Sequence, residues 1–375
     1  MKILVTGSNG FLGSAVCAQM LASGLRVRGT QRTAMKQRSE VGDQRSEART
    51  AVGAQISEAG DLQTISSKLP TASEPQAITN DQSSTHPEIV VVGNIDANTD
   101  WTAALEGVDA VVHLAARVHV MDDTAEDPLV AFRTVNVEGT RRLAESAAKA
   151  GVRRFVFISS IKVNGESTEV RGQESDVRNR GQSDILMFSE SDTPAPADPY
   201  GISKWEAEVA LRKIEAESGM EVVILRPPLL YGPGVKANFL KLIRLVNKGI
   251  PLPLGGIRNQ RSLLSLTNFA DLISKCVTDN RAAGHTFLVS DGDDVSSGEL
   301  VARIAIALGK KPRLLPVPEG LMVLAGKLTG MSAQVDRLCG SLQIDSTYVR
   351  KSLDWTPPVS MAQELARVAE WYQKR

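Results

Sequence analysis

Tyr200 and Lys204 are two side chains whose types and spacing could transfer a proton. They are four residues apart, and Asp198-Pro199 just before them favours a helix start, because Asp caps a helix and Pro suits its first position. The pair should therefore share one helical face. A free phenol has a pKa of about 10, too high for a base at neutral pH, and a nearby ammonium would lower it. We expect Tyr200 to exchange a proton with a hydroxyl or ketone.

Ser160 could hold the reacting oxygen beside Tyr200. It follows the apolar run 155–158, which predicts a buried strand, so its hydroxyl should lie at the carboxyl end of that strand. A serine after a strand is often only a turn residue, as a Tyr/Lys pair is often only part of an exposed helix. The order along the chain gives more support. A glycine-rich turn of the kind that binds phosphate groups comes first, then the serine at the strand end, then the helix with Tyr200 and Lys204.

A glycine-rich turn follows the first predicted strand. Gly7, Gly10 and Gly13 stand in a Gly-x-x-Gly-x-x-Gly spacing directly before a helical pattern. Such a turn presents backbone N–H groups and the positive end of the helix dipole to an anion, and glycines let a pyrophosphate approach closely. Glycines at a tight turn can also be purely structural, but the position between a buried strand and a helix favours dinucleotide binding.

The end of the second predicted strand bears on the choice between NAD and NADP. An acidic residue there would favour NAD, whereas an arginine suits the additional phosphate of NADP. Residues 28–32 include Arg28 and Arg32 and no acid. Arg32 is therefore a candidate for a bidentate contact with a 2′-phosphate, which favours NADP over NAD. The alternative is a solvated arginine at the start of a polar loop.

The composition argues against several other classes of protein. Lys+Arg and Asp+Glu both number 43 in 375 residues, so the basic excess that nucleic-acid binders carry is missing. The three cysteines and four histidines lack the spacing of a disulfide framework or a metal site. No apolar run has the length of a membrane-spanning helix, and the chain starts directly with a strand. We expect a cytoplasmic protein with no metal, no membrane insertion and no nucleic-acid partner.

The candidate residues need a framework that brings separate segments together. Short, apolar, β-branched runs alternate with helical patterns over most of the chain. They predict a doubly wound α/β fold of the Rossmann type, a parallel sheet with helices on both faces and ligands beyond the carboxyl ends of its strands. The predicted strands are 2–6, 26–30, 89–92, 110–114, 155–158, 222–225 and 286–289, and the predicted helices include 12–22, 129–149 and 200–218.

Changes in composition predict where the domains begin and end. Residues 1–226 should form an NAD(P)-binding Rossmann domain, completed by about 258–290. Pro and Gly become frequent from Pro227 onward, which predicts that the chain leaves the sheet there. A smaller C-terminal, substrate-binding lobe would then comprise 227–257 and 291–375.

Two polar stretches interrupt the alternation of strands and helices. Residues 33–88 are rich in Ser, Gln, Thr and Glu and contain Gln-Arg-Ser-Glu twice, and residues 166–193 are also polar. Such segments bury little apolar surface, so we predict that both are surface loops inserted into the Rossmann domain.

Together these motifs resemble the extended short-chain dehydrogenase/reductase superfamily, the NAD-dependent epimerase/dehydratase family. The resemblance rests on residues 6–13, 113–116, 136–140, 159–160 and the Tyr200/Lys204 pair. Residues 115–121, 160–165 and 226–234 are similar to a narrower, UDP-glucose 4-epimerase-like group. That group includes 4-keto reductases that form UDP-N-acetyl-quinovosamine for cell-surface polysaccharide.

The resemblance implies a role for each matching position. Ser160, Tyr200 and Lys204 would be catalytic, with Ser160 also touching the substrate and Lys204 holding the nicotinamide ribose. The dinucleotide would contact Gly7, Asn9, Gly10, Phe11, Leu12, Gly13, Asn94, Ile95, Leu114, Ala115, Ala116, Asn136 and Pro228 in addition to the Tyr/Lys pair. Asn238 and Arg261 would contact the diphosphate of a UDP-sugar, for which an arginine is well suited. The resemblance is also compatible with a homodimer.

The leading hypothesis is an NAD(P)-dependent 4-keto reductase of a UDP-2-acetamido-2,6-dideoxyhexos-4-ulose, in which Tyr200 protonates the new alkoxide at C4. The alternative is a UDP-glucose or UDP-N-acetylglucosamine 4-epimerase, which removes a hydride and returns it to the other face. Asn164 and Leu229 replace a tyrosine and an asparagine of many related epimerases, and no acid lies near Arg32, which together favour the reductase. The Ser160–Tyr200 separation is also longer than is usual in the family. A non-catalytic dinucleotide sensor is a third possibility, disfavoured by the intact Tyr200/Lys204 pair.

Overall fold

The computed structural model describes residues 1–33, 86–118, 127–168, 187–330 and 332–375. Most of the insertion predicted at 33–88 lies outside these residues, as do 169–186 of the second polar stretch and 119–121 of the epimerase-like motif. The described ranges contain the glycine turn, Ser160 and the Tyr200/Lys204 pair.

A seven-stranded parallel sheet forms the centre of the fold. The strands of the described ranges are β1 Lys2–Thr6, β2 Arg26–Gln31, β3 Glu88–Val91, β4 Ala110–His113, β5 Arg154–Ile158, β6 Glu221–Arg226, β7 Leu229–Tyr231, β8 Leu263–Ser265 and β9 Thr286–Leu288. The sheet order is β3-β2-β1-β4-β5-β6-β9, and each neighbouring pair is parallel. The order reverses between β1 and β4, which opens a crevice at their carboxyl ends. The predicted doubly wound fold is confirmed, and each predicted strand end lies within one residue of the observed one.

Helices cover both faces of the sheet and build the C-terminal part of the chain. Their bounds are α1 Phe11–Ala22, α2 Thr102–Leu105, α3 Pro128–Arg133, α4 Thr140–Lys149, α5 Pro199–Ser218, α6 Ala237–Asn247, α7 Leu266–Thr278, α8 Ser297–Ala307, α9 Glu319–Thr329, α10 Ser332–Cys339, α11 Thr347–Leu353 and α12 Met361–Gln373. A π-helical turn, Thr134–Gly139, joins α3 to α4 where the sequence predicted one continuous helix. Within the described ranges, the helices include none that is long and apolar enough to cross a membrane.

The sheet separates two hydrophobic cores, because alternate residues of a strand point to opposite faces. Ile3 of β1 belongs to the core that includes Phe269 of α7. The next residue, Leu4, belongs to the other core, which includes Leu211 of α5. Since all four side chains are fully buried, the apolar runs of the strands reflect burial on both sides.

The C-terminal part has a core of its own. Tyr231, Phe239 of α6, Val301 of α8 and Leu365 of α12 lie in this third cluster. Most of it falls within the ranges predicted for the substrate-binding lobe. Trp355, which follows α11, packs instead into the core of the sheet. The C-terminal segment therefore contributes to this core as well as to the third cluster.

Candidate active site

The glycine turn after β1 leaves the start of α1 open to a ligand. Gly7 has a φ of +67°, and a Cβ added at Gly13 would lie 2.0 Å from the Gly7 carbonyl oxygen. The Gly10 amide donates to that oxygen at 2.9 Å, which closes the turn. Gly10 is the N-cap of α1 and, having no side chain, offers no cap to the first-turn amides. Those N–H groups are therefore available to an anion such as a pyrophosphate.

A cleft of about 370 Å³ lies in front of this turn. It is lined by the predicted residues Gly7, Asn9, Gly10, Arg32, Ile95, Leu114, Ala115 and Ala116. It is also lined by Thr30, Gln31, Thr33, Val92, Gly93 and Val135, none of which the sequence motifs had indicated. All but Val135 lie at or just after the carboxyl ends of β2 and β3, and the rule that ligands bind at strand ends could have identified them.

Other predicted cofactor residues lie around the cleft rather than in its wall. Leu12 and Gly13 are in the first turn of α1, and Phe11 lies beside Gly234, whose added Cβ would be 3.5 Å from the Phe11 ring. Asn94 is exposed, and its carbonyl oxygen accepts a hydrogen bond from Thr99. Asn94 is therefore held through its backbone, while its neighbours on both sides line the cleft.

His113 has a structural role instead of transferring protons: it bonds Thr6, which in turn holds the cleft residues Leu114 and Ala115. Thr6 Oγ1 accepts from the amides of Leu114 and Ala115 at 3.1 Å each, so its own proton can go to His113 Nδ1 at 2.7 Å. His113 Nε2 must then donate to Thr140 Oγ1 at 2.9 Å, which fixes the tautomer. Burial, and to a lesser extent the charge of Lys204, lower the pKa of His113 to about 3, so the ring stays neutral.

Ser160 and Tyr200 meet at the carboxyl end of β5, as the sequence predicted they could. Tyr200 stands in the first turn of α5, which Asp198 caps by accepting from the Gly201 amide at 2.7 Å. Ser160 accepts from the Lys162 amide at 3.3 Å, and its hydroxyl makes a side-chain hydrogen bond with Tyr200. The two hydroxyls form one polar point to which a substrate oxygen could bind.

Lys204 lies close to the Tyr200 ring. Its ammonium donates to the carbonyl oxygen of Ile158 at 2.8 Å and is 6.0 Å from the centre of the Tyr200 ring. It also lies 4.5 Å from the centre of the Phe157 ring, a favourable position for a cation. Lys204 is only 2% exposed, and its pKa is lowered to about 7, because the lowering caused by burial is larger than the raising caused by the charge of Glu208.

The chain alone does not give Tyr200 the depressed pKa that we expected. Burial raises the pKa of Tyr200, the charge of Asp198 raises it further, and only the hydrogen bond with Ser160 lowers it. Desolvation of the phenolate therefore outweighs any help from Lys204. At neutral pH Tyr200 is a neutral phenol in this state, ready to donate a proton; acting as a base requires additional positive charge nearby.

Asn136 connects the loop after β4 to the helix of Tyr200. It lies in the π-helical turn, and its Oδ1 and Nδ2 bond the backbone N–H and C=O of Arg117 at 2.8 and 3.0 Å. Its Nδ2 also donates to Ser203 Oγ at 3.0 Å, and Ser203 donates to the Tyr200 carbonyl at 2.8 Å. The wide turn lets one fully buried amide reach both segments, as π-turns at functional sites often do.

The remaining predicted contacts lie further from the Tyr/Lys pair. Pro228 is buried between β6 and β7, and Asn238 is exposed in the first turn of α6. Arg261 bridges Val295 and Leu342, and its Nη1 donates to the Gly340 carbonyl at 2.9 Å. Arg261 thus joins segments of the C-terminal part, and its contact with a diphosphate stays a prediction.

A second opening of about 440 Å³ lies elsewhere, beside α1 and α7. Its lining includes Gln19, Asp271, Lys275 and Trp355. None of the predicted catalytic or cofactor residues borders it, so its size does not make it the active site.

Comparisons with known proteins agree with this geometry. The model of the NAD-dependent epimerase/dehydratase family matches residues 3–290. A UDP-glucose 4-epimerase of Vibrio cholerae is 49% identical over 280 residues, which cover 74% of this chain and 81% of that protein. The N-acetyl-alpha-D-glucosaminyl-diphospho-ditrans,octacis-undecaprenol 4-epimerase of Escherichia coli O157:H7 is 30% identical over 308 residues, covering 77% and 85%. The crystal structure of UDP-N-acetylglucosamine 4-epimerase from Bacillus cereus shares the fold with a TM-score of 0.69 at 20% identity, covering 100% and 99% of the two chains.

Proposed function

This chain belongs to the NAD-dependent epimerase/dehydratase family and acts on sugar nucleotides, and we propose that it is a 4-epimerase of UDP-linked hexoses. The similarity to a UDP-glucose 4-epimerase over 74% of the chain supports this choice. The observation that carries the proposal is the meeting of Ser160 and Tyr200 above the Lys204 ammonium, at the same edge of the sheet as the glycine turn.

The residues of the cleft fit NAD. The uncapped start of α1 suits the pyrophosphate, and the close approach of Gly13 to Gly7 leaves no side chain in its way. Gln31 and Arg32 at the end of β2 would face the adenosine ribose, and Ala115 and Ala116 would lie along the dinucleotide. When bound, the oxidised dinucleotide would accept a hydride and return it, and its positive ring would favour the phenolate of Tyr200.

The chain's own residues would then handle the proton. Tyr200 would take the proton of the sugar 4-hydroxyl, while Ser160 holds the same oxygen. Tyr200 would return the proton after the sugar has turned its other face to the dinucleotide. Lys204, buried and close by, would stabilise the phenolate between the two transfers. Because the proton and the hydride both return to the sugar, the reaction needs no net reductant.

The test is to incubate the purified protein with UDP-glucose and, separately, with UDP-N-acetylglucosamine. We expect the corresponding galacto-epimer to form without net change in nicotinamide absorbance. Absence of both epimers, together with steady NADPH oxidation on a UDP-4-keto-6-deoxyhexosamine, would replace the proposal by the reductase.

The reductase keeps one specific observation in its favour. Leu229 is 54% exposed at the start of β7. By the resemblance described above, many epimerases carry a substrate-binding asparagine at this position. An apolar side chain there suits a less polar, deoxygenated sugar better than a hexose. The Vibrio cholerae and Escherichia coli relatives give this narrower substrate no specific support, so we rank the reductase second.

A further inference from the structure

A buried ion pair lies directly behind the Tyr/Lys pair. Glu208 stands one turn after Lys204 on α5, and Arg226 ends β6; they are 2% and 4% exposed. Arg226 Nε and Nη2 donate to the two carboxylate oxygens of Glu208 at 3.0 and 2.5 Å. This two-point contact fixes the orientation of both side chains as well as their distance.

The pair is tied to the residues on either side of Ser160. Ser159 Oγ donates a short hydrogen bond to the carboxylate of Glu208. Arg226 Nη1 donates to Asn164 Oδ1 at 3.0 Å, and Asn164 Nδ2 donates to the Ser189 carbonyl at 3.1 Å. Asn164 thus has a structural partner, which accounts for an amide where related epimerases carry a tyrosine.

These contacts join the two segments that must meet for catalysis. The Ser159 amide donates to the Leu225 carbonyl at 2.8 Å, so the end of β5 is bonded to β6 through its backbone as well. Glu208 adds the third element, α5, to this junction. Glu208 therefore joins α5 both to the residue before Ser160 and to the end of β6.

We propose that Glu208, held by Arg226 and Ser159, is a positioning residue that sets the register between the Ser160 loop and the helix of Tyr200 and Lys204. The inference rests on the proposed function, because it assumes that these three residues act on the substrate. The charge of Glu208 has a second effect, since it favours the protonated form of the buried Lys204.

The same two strands carry a matched control at their other end. Arg154 at the start of β5 is fully buried, and its Nε donates to Glu221 at the start of β6 at 2.8 Å. Each pair joins a buried arginine of the sheet to a glutamate, which stands on α5 in the first pair and on β6 in the second. Arg154 and Glu221 lie at the amino ends of β5 and β6, away from the cleft. Because the Glu221 side chain is 32% exposed and that of Glu208 only 2%, each variant's change in kcat is compared with its change in the free energy of unfolding. A purely structural role would make the two changes run in parallel.

The experiment compares Glu208→Gln with Glu221→Gln. We expect Glu208→Gln to lower kcat roughly tenfold to a hundredfold with a much smaller change in KM, because Ser160 and Tyr200 lose their alignment. The pH limb that reports Lys204 should move to lower pH, because the neighbouring negative charge is gone. Glu221→Gln should leave kcat and the limb unchanged. Equal kinetic effects of the two variants would overturn the proposal.

A second variant keeps the test decisive if Glu208→Gln folds poorly. Glu208→Leu combined with Arg226→Met removes both charges, and replacing a buried ion pair by apolar side chains is often neutral for stability. We expect this double variant to fold and to lose activity as the single variant does; full activity would overturn the positioning role. Titration of the Lys204 amine by NMR, which needs no turnover, should show a lower pKa in Glu208→Gln than in Glu221→Gln. An unchanged Lys204 titration contradicts the inference, whereas an active Tyr200→Phe variant contradicts only the proposed function.

Discussion

The Lys204 ammonium donates a 2.8 Å hydrogen bond to the carbonyl oxygen of Ile158, so the helix that carries Tyr200 is attached to the strand that precedes Ser160. A buried ammonium needs such an acceptor, because its charge has left water. The bond occupies one of the three Lys204 protons and leaves others for a phenolate or a ribose. Lys204 is therefore part of the packing of the site as well as of its chemistry, and predictions must separate the two roles.

Removal of the phenol should abolish turnover and leave the fold intact. We expect Tyr200→Phe to lower kcat by roughly 10²–10⁴-fold, the usual contribution of a positioned acid or base, with an unchanged circular dichroism spectrum. The matched control is Tyr348→Phe. Tyr348 is exposed, its hydroxyl hydrogen-bonds to His285, and both residues are far from Tyr200 in the sequence. Near-normal epimerisation by Tyr200→Phe would move the chemistry elsewhere.

The burial of Lys204 should make the free energy of unfolding depend on pH between about 7 and 10.5. Its pKa is lowered from the ordinary 10.5 to about 7, so between these values the unfolded chain holds a proton that the folded chain lacks. Stability therefore rises as the pH increases through this window. We expect the free energy of unfolding of the wild type, minus that of Lys204→Met, to be larger at pH 9 than at pH 7 by urea denaturation. A difference that stays level or falls would show that Lys204 is charged when folded.

Elements of the sheet could be predicted because their signal is local. Strands buried on both faces, such as β4 and β5, are written as continuous apolar runs and need no partner to be recognised. Asp198 and Pro199 marked the start of α5 for the same reason, since capping depends on adjacent residues. The order of glycine turn, strand-end serine and Tyr/Lys helix then placed Ser160 with Tyr200.

Features that depend on distant partners could not be predicted. The π-helical turn leaves the apolar spacing of 129–149 nearly unchanged, so periodicity predicted a single helix. Glu208 and Arg226 look like ordinary surface charges until β6 is laid beside α5. The direction of the Tyr200 pKa shift depends on its burial, which spacing along one helix does not reveal.

A methyl group at the glycine turn should prevent dinucleotide binding. In Gly13→Ala the new Cβ would meet the Gly7 carbonyl oxygen at 2.0 Å, so the turn that presents the α1 amides must open. We expect NAD affinity to fall at least about tenfold by calorimetry, because the pyrophosphate loses several backbone contacts. Gly320→Ala is the control, since its Cβ meets nothing within 4 Å. Unchanged NAD binding in Gly13→Ala would place the dinucleotide elsewhere.

Arg32 tests the choice between the two dinucleotides. It is exposed at the mouth of the cleft, next to Gln31, and no acidic side chain occurs in residues 28–32 to repel a 2′-phosphate. If Arg32 binds that phosphate, Arg32→Ala should weaken NADPH binding roughly tenfold to a hundredfold and change NADH binding little, because the lost contact is charge-assisted. Arg26→Ala, an exposed arginine at the opposite end of β2, is the control for net charge. Equal losses for both dinucleotides would remove Arg32 from the phosphate site.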